Sequence, residues 1–161
     1  MVRKSPGYAA NRARISLALS EFTVPLLSRI YHAFDGDMVA ALVLGEIAHR
    51  NVEAWLAEYE NAEEQLDDPT RRETLMRPCN ALSIAESCGL PRETVRRKIV
   101  MLIDRGYVYR SETGFLFLTR NVGDDFEDMT ARNVEELLAT ARRLQSLLAK
   151  ESTPLGPLRL D

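Results

Sequence analysis

Between Asn80 and Thr119 two short helical patterns, each closed by a glycine, run directly into two aromatic and β-branched segments. Few folds accommodate that order. Asn80 offers a side-chain oxygen to cap the first helix. Leu82, Ile84 and Ala85 supply its apolar surface, and Gly89 ends it where only glycine takes a left-handed conformation cheaply. Leu90 follows as a buried anchor. Pro91 suits the start of a second helix, because its missing N–H has no partner there in any case. That helix runs to about Arg105, with Val95, Ile99 and Leu102 at helical spacing and facing the first helix. Gly106 stops it, and Tyr107 packs back on its last turn. The segments 107–109 and 115–118, separated by Ser-Glu-Thr-Gly, predict a two-stranded hairpin.

The residues Ile84-Ala85-Glu86 with Gly89-Leu90, then Thr94-Val95-Arg96-Arg97, then Leu102 with Gly106-Tyr107-Val108, resemble the winged helix-turn-helix of bacterial transcriptional regulators. Helices before this stretch, one helix after it and the Leu118-Thr119 pair resemble the MarR-like regulators in particular. The wing tip, Ser-Glu-Thr-Gly, lacks the basic residues usual in that family, so little base reading is expected from it. The resemblance implies a mostly α fold with a small two-stranded β-wing. It also implies a homodimer of interlocking terminal helices, and a small-molecule effector bound between those helices and the DNA lobe.

Charge distribution points to double-stranded DNA independently of the resemblance. The net charge of −3 argues against a nucleic-acid partner, but from Arg77 to Arg120 eight basic residues stand against four acidic ones. A basic module within an acidic body is the electrostatic footprint of a phosphate-backbone binder. With Val95, Ile99 and Leu102 inward, steps of 100° put Glu93, Arg96, Arg97 and Val100 on the opposite face, the one that enters a major groove. Arg96 and Arg97 can each donate a bidentate pair of bonds to guanine. Glu93 has two readings: acceptor from cytosine, or ion-pair partner of Arg97 one turn on. Thr94 is placed for phosphate at the helix start, and Arg92 and Lys98 flank the core face for the same purpose. Asn80 and Ser83 at the first helix, Arg110 at the base of the wing and Arg120 beyond it complete the candidate DNA contacts.

In order, residues 1–14 read as a basic N-terminal tail and 15–60 as an N-terminal helical region. Pro25 is expected to divide the first helical pattern, ending one helix near Ser20 and starting another capped by Thr23. Asp37 can cap a long helix over 38–60 with Val39, Leu42, Val43, Ile47, Val52, Trp55, Leu56 and Tyr59 in a broad apolar stripe. Gly45 within it suggests close helix packing. Residues 61–78 read as a polar linker, 79–120 as the DNA-binding domain and 120–129 as an acidic loop. A C-terminal dimerisation helix follows over 130–150, then a loose tail over 151–161. Val134, Leu137, Ala141, Leu144 and Leu148 form a heptad-like seam for dimerisation. The stripe of the 38–60 helix is a second candidate surface, and the alternative for both is packing within one chain. Two joined modules read half-sites about one helical turn apart, which favours a dimer on physical grounds as well.

Enzyme chemistry finds little purchase. Glu46 and His49 have the spacing of a di-iron ligand pair, but His32, the other histidine, brings no second pair. Cys79 and Cys88 lack a zinc-site context and read as free thiols of a reducing cytoplasm. No phosphate-binding glycine loop or nucleophile motif occurs, and neither a metal nor a cofactor is expected. No apolar run is long enough to span a membrane. Tyr31, Phe34, Trp55 and Tyr59 are candidates for an effector pocket or for core. The expectation is a cytoplasmic, homodimeric, sequence-specific transcriptional regulator. The alternative from another class is a protein–protein adaptor that uses the same module without DNA.

Overall fold

Asp37 sets the start of the longest buried helix. Its Oδ1 accepts the amide of Ala40 at 3.0 Å, satisfying one of the donors that a helix start leaves open. The structure, a computed structural model, describes the backbone of residues 6–58 and 73–149, with side chains over 7–53 and 73–149. It is mostly helical with one small antiparallel sheet: α1 Pro6–Ala33, α2 Met38–Glu58, α3 Ala81–Cys88, α4 Arg92–Asp104, β1 Val108–Arg110, β2 Leu116–Leu118 and α5 Asn121–Ala149. The side chain of Trp55, and all of Tyr59 and the 61–72 part of the expected linker, lie outside the described residues.

The described residues fall into two compact units, one from Ile30–Glu127 and one from Met1–Arg29 with Asp128–Asp161. In the first, α2 turns Ala40, Val43, Leu44, Ile47 and Asn51 inward at steps of three and four. They share a core with Ile84, Ala85, Val95, Ile99, Leu102, Val108, Leu116 and Leu118. The helix is therefore part of the same unit as α3, α4 and the hairpin, not of a separate N-terminal region. Its stripe is occupied within the chain and narrower than expected, since Leu42 points to solvent. Among the described residues nothing lies within 4 Å of a β-carbon built on Gly45, so none of them makes a close helix contact that needs this glycine.

Local signals around α3 and α4 act as anticipated. Asn80 Oδ1 accepts the amides of Leu82 and Ser83, and Ser83 Oγ accepts the amide of Asn80, closing a reciprocal cap. Gly89 takes φ 63°, Leu90 donates back to the Ala85 carbonyl, and Gly106 takes φ 74°. The hairpin pairs Val108 with Leu118, Tyr109 with Phe117 and Arg110 with Leu116. It gains a third line of backbone, because Leu116 donates to the Cys79 carbonyl at 2.9 Å.

Asn51 holds that third line to α2. Fully buried, its Nδ2 donates to the Arg77 carbonyl at 2.9 Å and to the Leu116 carbonyl at 3.3 Å, while its Oδ1 accepts the Leu118 amide at 2.9 Å. Its own carbonyl accepts the Arg77 amide. The ordered fold thus reaches back through buried Met76 into what reads in the sequence as linker.

The terminal helices depart most from expectation. Residues 6–14 are helical, not tail, and α1 runs unbroken past Ser20, Thr23 and Pro25; its one non-helical residue is Asn11, at φ −115° and ψ 19°. Pro25 removes one helical bond, but Ile15, Ala18, Phe22, Leu26 and Arg29 keep one covered face at steps of three and four, which carries the helix through. Likewise α5 starts at Asn121 instead of Thr130. Phe126 stacks on Phe34 at 5.7 Å and meets Tyr107 at 5.5 Å, so the expected acidic loop has an apolar anchor. Asp124 and its neighbours then sit in the first turns, where negative charge suits the helix dipole. Within the second unit α1 and α5 run antiparallel. Asn11 Nδ2 donates to the Leu147 carbonyl at 2.9 Å, Arg143 pairs with Glu21, and Arg29 binds Asn133 at 2.8 Å and Glu136. A β-carbon at Gly7 would collide with the Leu148 carbonyl, so the helices touch there backbone to backbone.

Replacing Asn51 by Leu leaves the buried Leu118 amide without its acceptor, the Leu116 carbonyl with only the Cys79 thiol, and the part-buried Arg77 carbonyl without its Asn51 bond. Each unmet group costs about 1–3 kcal/mol, so urea unfolding should show a loss of about 2–5 kcal/mol. A loss under about 1 kcal/mol would show that Asn51 does not carry the junction.

Candidate nucleic-acid interface

The outward side of α4 follows from its inward side. Val95, Ile99 and Leu102 are at 0 % exposure, and a helix pinned along that line must present Arg92, Glu93, Arg96, Arg97 and Val100 to solvent, as it does. Thr94 and Lys98 lie at the margin, half-buried.

The cations of this segment divide into groups with different work. Arg96 is held by Glu93 through two parallel bonds, Nε to Oε2 at 2.9 Å and Nη2 to Oε1 at 2.8 Å. The anticipated Glu93–Arg97 pair is not formed, because the guanidinium of Arg96, three residues on, presents its fork to both carboxylate oxygens. Those hydrogen bonds, ahead of the charges of Arg96 and Arg97, hold the Glu93 carboxyl below its ordinary range. Among the described residues neither Arg97 nor Arg92 has a carboxylate within 4 Å, although the charge of Arg97 is felt at Glu93.

Lys98 is turned away from any phosphate. Its Nζ pairs with Asp37 Oδ2, so the carboxylate that caps α2 also anchors α4. Burial pushes the Asp37 carboxyl up, but the Lys98 hydrogen bond, the Ala40 amide and the Lys98 charge together outweigh it and hold the carboxyl below its ordinary value. A second clamp joins Arg105 to Asp35 at 2.7 Å. Asp35 sits at φ 51° and Gly36 at φ 86°, a left-handed pair that turns the chain sharply between α1 and α2. These two clamps escape sequence reasoning because their partners are far apart in the chain. The sequence marks Asp37 only as a cap of the following helix.

The remaining candidates are placed as follows. Asn80 and Ser83 serve the start of α3 through their mutual cap. Arg110 Nη1 donates to the Gly114 carbonyl at 3.1 Å and braces the hairpin, and Arg120 lies 3.6 Å from Asp124 at the start of α5. The structure therefore brings Arg92, Arg96 and Arg97 onto one face and gives Lys98 structural work. Asn51 was missed altogether; its signal was an amide at a core position of the α2 stripe, four residues after Ile47.

Of the proposed seam on α5, Val134, Leu137 and Leu148 are exposed together with Leu138. Ala141 and Leu144 are half-covered. The covered face of α5 is instead Met129, Asn133, Glu136, Thr140, Leu144 and Leu147. On α1, Leu17, Val24 and Leu27 are exposed as well.

Among the described residues no group of three His, Cys, Asp or Glu side chains is placed to hold a metal. Glu46 binds Arg50 at 2.7 Å, and His49 stands at the surface 3.9 Å from Glu53. Burial pushes the Cys79 thiol up to about 11 and raises that of Cys88 too. Phe34 belongs to the core, whereas Tyr31 is exposed. Among the described residues no helix is long and apolar enough to cross a membrane. No protein-family model matches the chain, and no curated protein or solved structure matches it either.

The Asp37–Lys98 clamp has a pH signature. Since the folded-state carboxyl lies below the ordinary aspartate value of 3.8, its contribution is present above that value and lost as pH falls through the lower folded-state value. Asp37→Asn keeps a capping oxygen and removes the charge. It should cost about 1 kcal/mol at pH 7, and the gap to wild type in thermal or urea unfolding should close below about pH 4. A gap of constant size across that range would rule out the ionised pair as its source.

Proposed function

We propose that this chain is a sequence-specific transcriptional regulator of the winged helix-turn-helix type, MarR-like in topology, which binds double-stranded DNA as a homodimer in the cytoplasm. The observation that carries the proposal is α4: three fully buried apolar residues on one side, Arg96 and Arg97 exposed on the other, and Arg92 exposed at its start. A helix gripped this firmly by its own core holds its outward side chains in a fixed register, which a groove reader requires. In this reading Arg97, with no carboxylate in ion-pair range among the described residues, is the principal base reader. Arg92 takes phosphate. Glu93 holds the Arg96 guanidinium in one orientation for a phosphate or a guanine edge. The short hairpin tip with no basic residue contributes support, not readout.

Dimerisation is favoured by what the α1–α5 pair leaves uncovered. Leu17, Val24 and Leu27 on α1 and Val134, Leu137, Leu138 and Leu148 on α5 are exposed together. Two helices have too little mutual surface to bury such stripes, and a second copy of the pair closes them into a four-helix arrangement. The full chain should sediment at twice the mass of a single chain. Val134→Glu with Leu137→Glu should make it monomeric while leaving its helical circular dichroism unchanged. A wild-type monomer at micromolar concentration would remove the dimer from the proposal.

The functional test is selection from a pool of random duplexes at two salt concentrations. The expected result is an enriched palindrome whose binding falls steeply with salt, as phosphate contacts release counterions. Arg97→Ala should then cost about 1–3 kcal/mol and relax one position of the half-site. Absence of enrichment, with weak binding even at low salt, would give preference to a protein–protein adaptor.

A further inference from the structure

Val100 is the one apolar residue on the outward face of α4, at 47 % exposure, with Arg92, Glu93, Arg96 and Arg97 before it and Asp104 one turn after it. Neither burial nor helix formation accounts for it. Its side chain lies opposite Val95, Ile99 and Leu102, outside the core, and valine is among the poorer helix formers because the preceding turn restricts its branched side chain. A lysine or glutamate there would favour both the helix and solubility.

The chemistry of the major groove supplies a partner. Of the four bases only thymine presents an apolar group there, its C5 methyl. We propose that Val100 is a specificity-determining residue that packs on a thymine methyl beside the guanine read by Arg97. This inference rests on the DNA-binding reading above and names part of the sequence that reading requires. Arg97 and Val100 are three residues apart, so they are neighbours on one face, about 4.5 Å apart along the helix axis. Base pairs repeat about every 3.4 Å. The two side chains therefore address base pairs one or two steps apart, and each half-site should hold a guanine with a thymine at that separation. The Glu93–Arg96 pair strengthens the assignment. With Arg96 already bonded to Glu93, Arg97 and Val100 can meet base edges without breaking an ion pair seen among the described residues, whereas Arg92, equally unpaired there, lies toward the flank of the core face at the helix start.

The test uses the full chain and the duplex selected by the wild type. Each thymine is replaced singly by deoxyuridine, which removes the methyl and keeps the base pair. Wild-type affinity should fall about fourfold at one thymine per half-site, the factor expected for one methyl withdrawn from apolar contact. In Val100→Ser the same replacement should change affinity by less than about 1.5-fold, and in Val100→Thr, which retains a methyl, the sensitivity should persist. Because Val100 is outside the core, both variants should melt with the wild type, so a changed sequence preference is not a folding defect. Indifference of the wild type to every deoxyuridine, or equal sensitivity in wild type and Val100→Ser, overturns the assignment while the DNA-binding reading stands. A wild type that selects no sequence overturns that reading and this inference with it.

Discussion

The buried carboxamide of Asn51 is the junction on which the Ile30–Glu127 unit depends. A two-stranded hairpin is barely stable alone, and β1 and β2 span only three residues each. Asn51 supplies what so small a sheet lacks: a donor and an acceptor aimed at its open backbone from α2, at a fully buried position. It ties β2 and the Arg77–Cys79 segment to the helix that also carries the centre of the core. The bonds of this cluster join α2 to β2 and to the Arg77–Cys79 segment, so it stabilises as a whole and favours one arrangement.

A similar economy governs the ion pairs. Asp37 begins α2 and anchors the middle of α4 through Lys98, and Asp35 in the same turn holds Arg105 just past the end of α4. The apolar face of α4 sets its rotation, and these two clamps oppose sliding along its axis. Rotation and axial position are the two quantities that decide where outward side chains point. The basic character of the segment is accordingly of two kinds: some cations orient α4, and others are left outward by that orientation.

Local chemistry was legible where the causal residues are close in sequence. The caps at Asn80 and Asp37, the left-handed glycines 89 and 106, the α4 core trio and the hairpin involve residues at most twelve positions apart, so the chain declares them. The outward face of α4 follows from the inward one by helical geometry alone, and the candidate reader residues on it were legible for that reason. The choice of partner within the face was not: whether Glu93 joins Arg96 or Arg97 depends on rotamers that a spacing rule leaves open.

The sequence by itself determined the helix-turn-helix-hairpin core, its periodicity and its stops, because those depend on backbone preference and on the step of 100° per residue. Tertiary structure alone decided the rest. Pro25 was overridden by a covered face longer than the defect it introduces. The start of α5 was moved nine residues by the stacking of Phe126 on Phe34. Lys98 pairs with Asp37, 61 residues away, and Asn51 is a core residue because three backbone groups from elsewhere in the chain converge on it. In each case the deciding energy comes from a contact between distant parts of the chain, which no local pattern encodes.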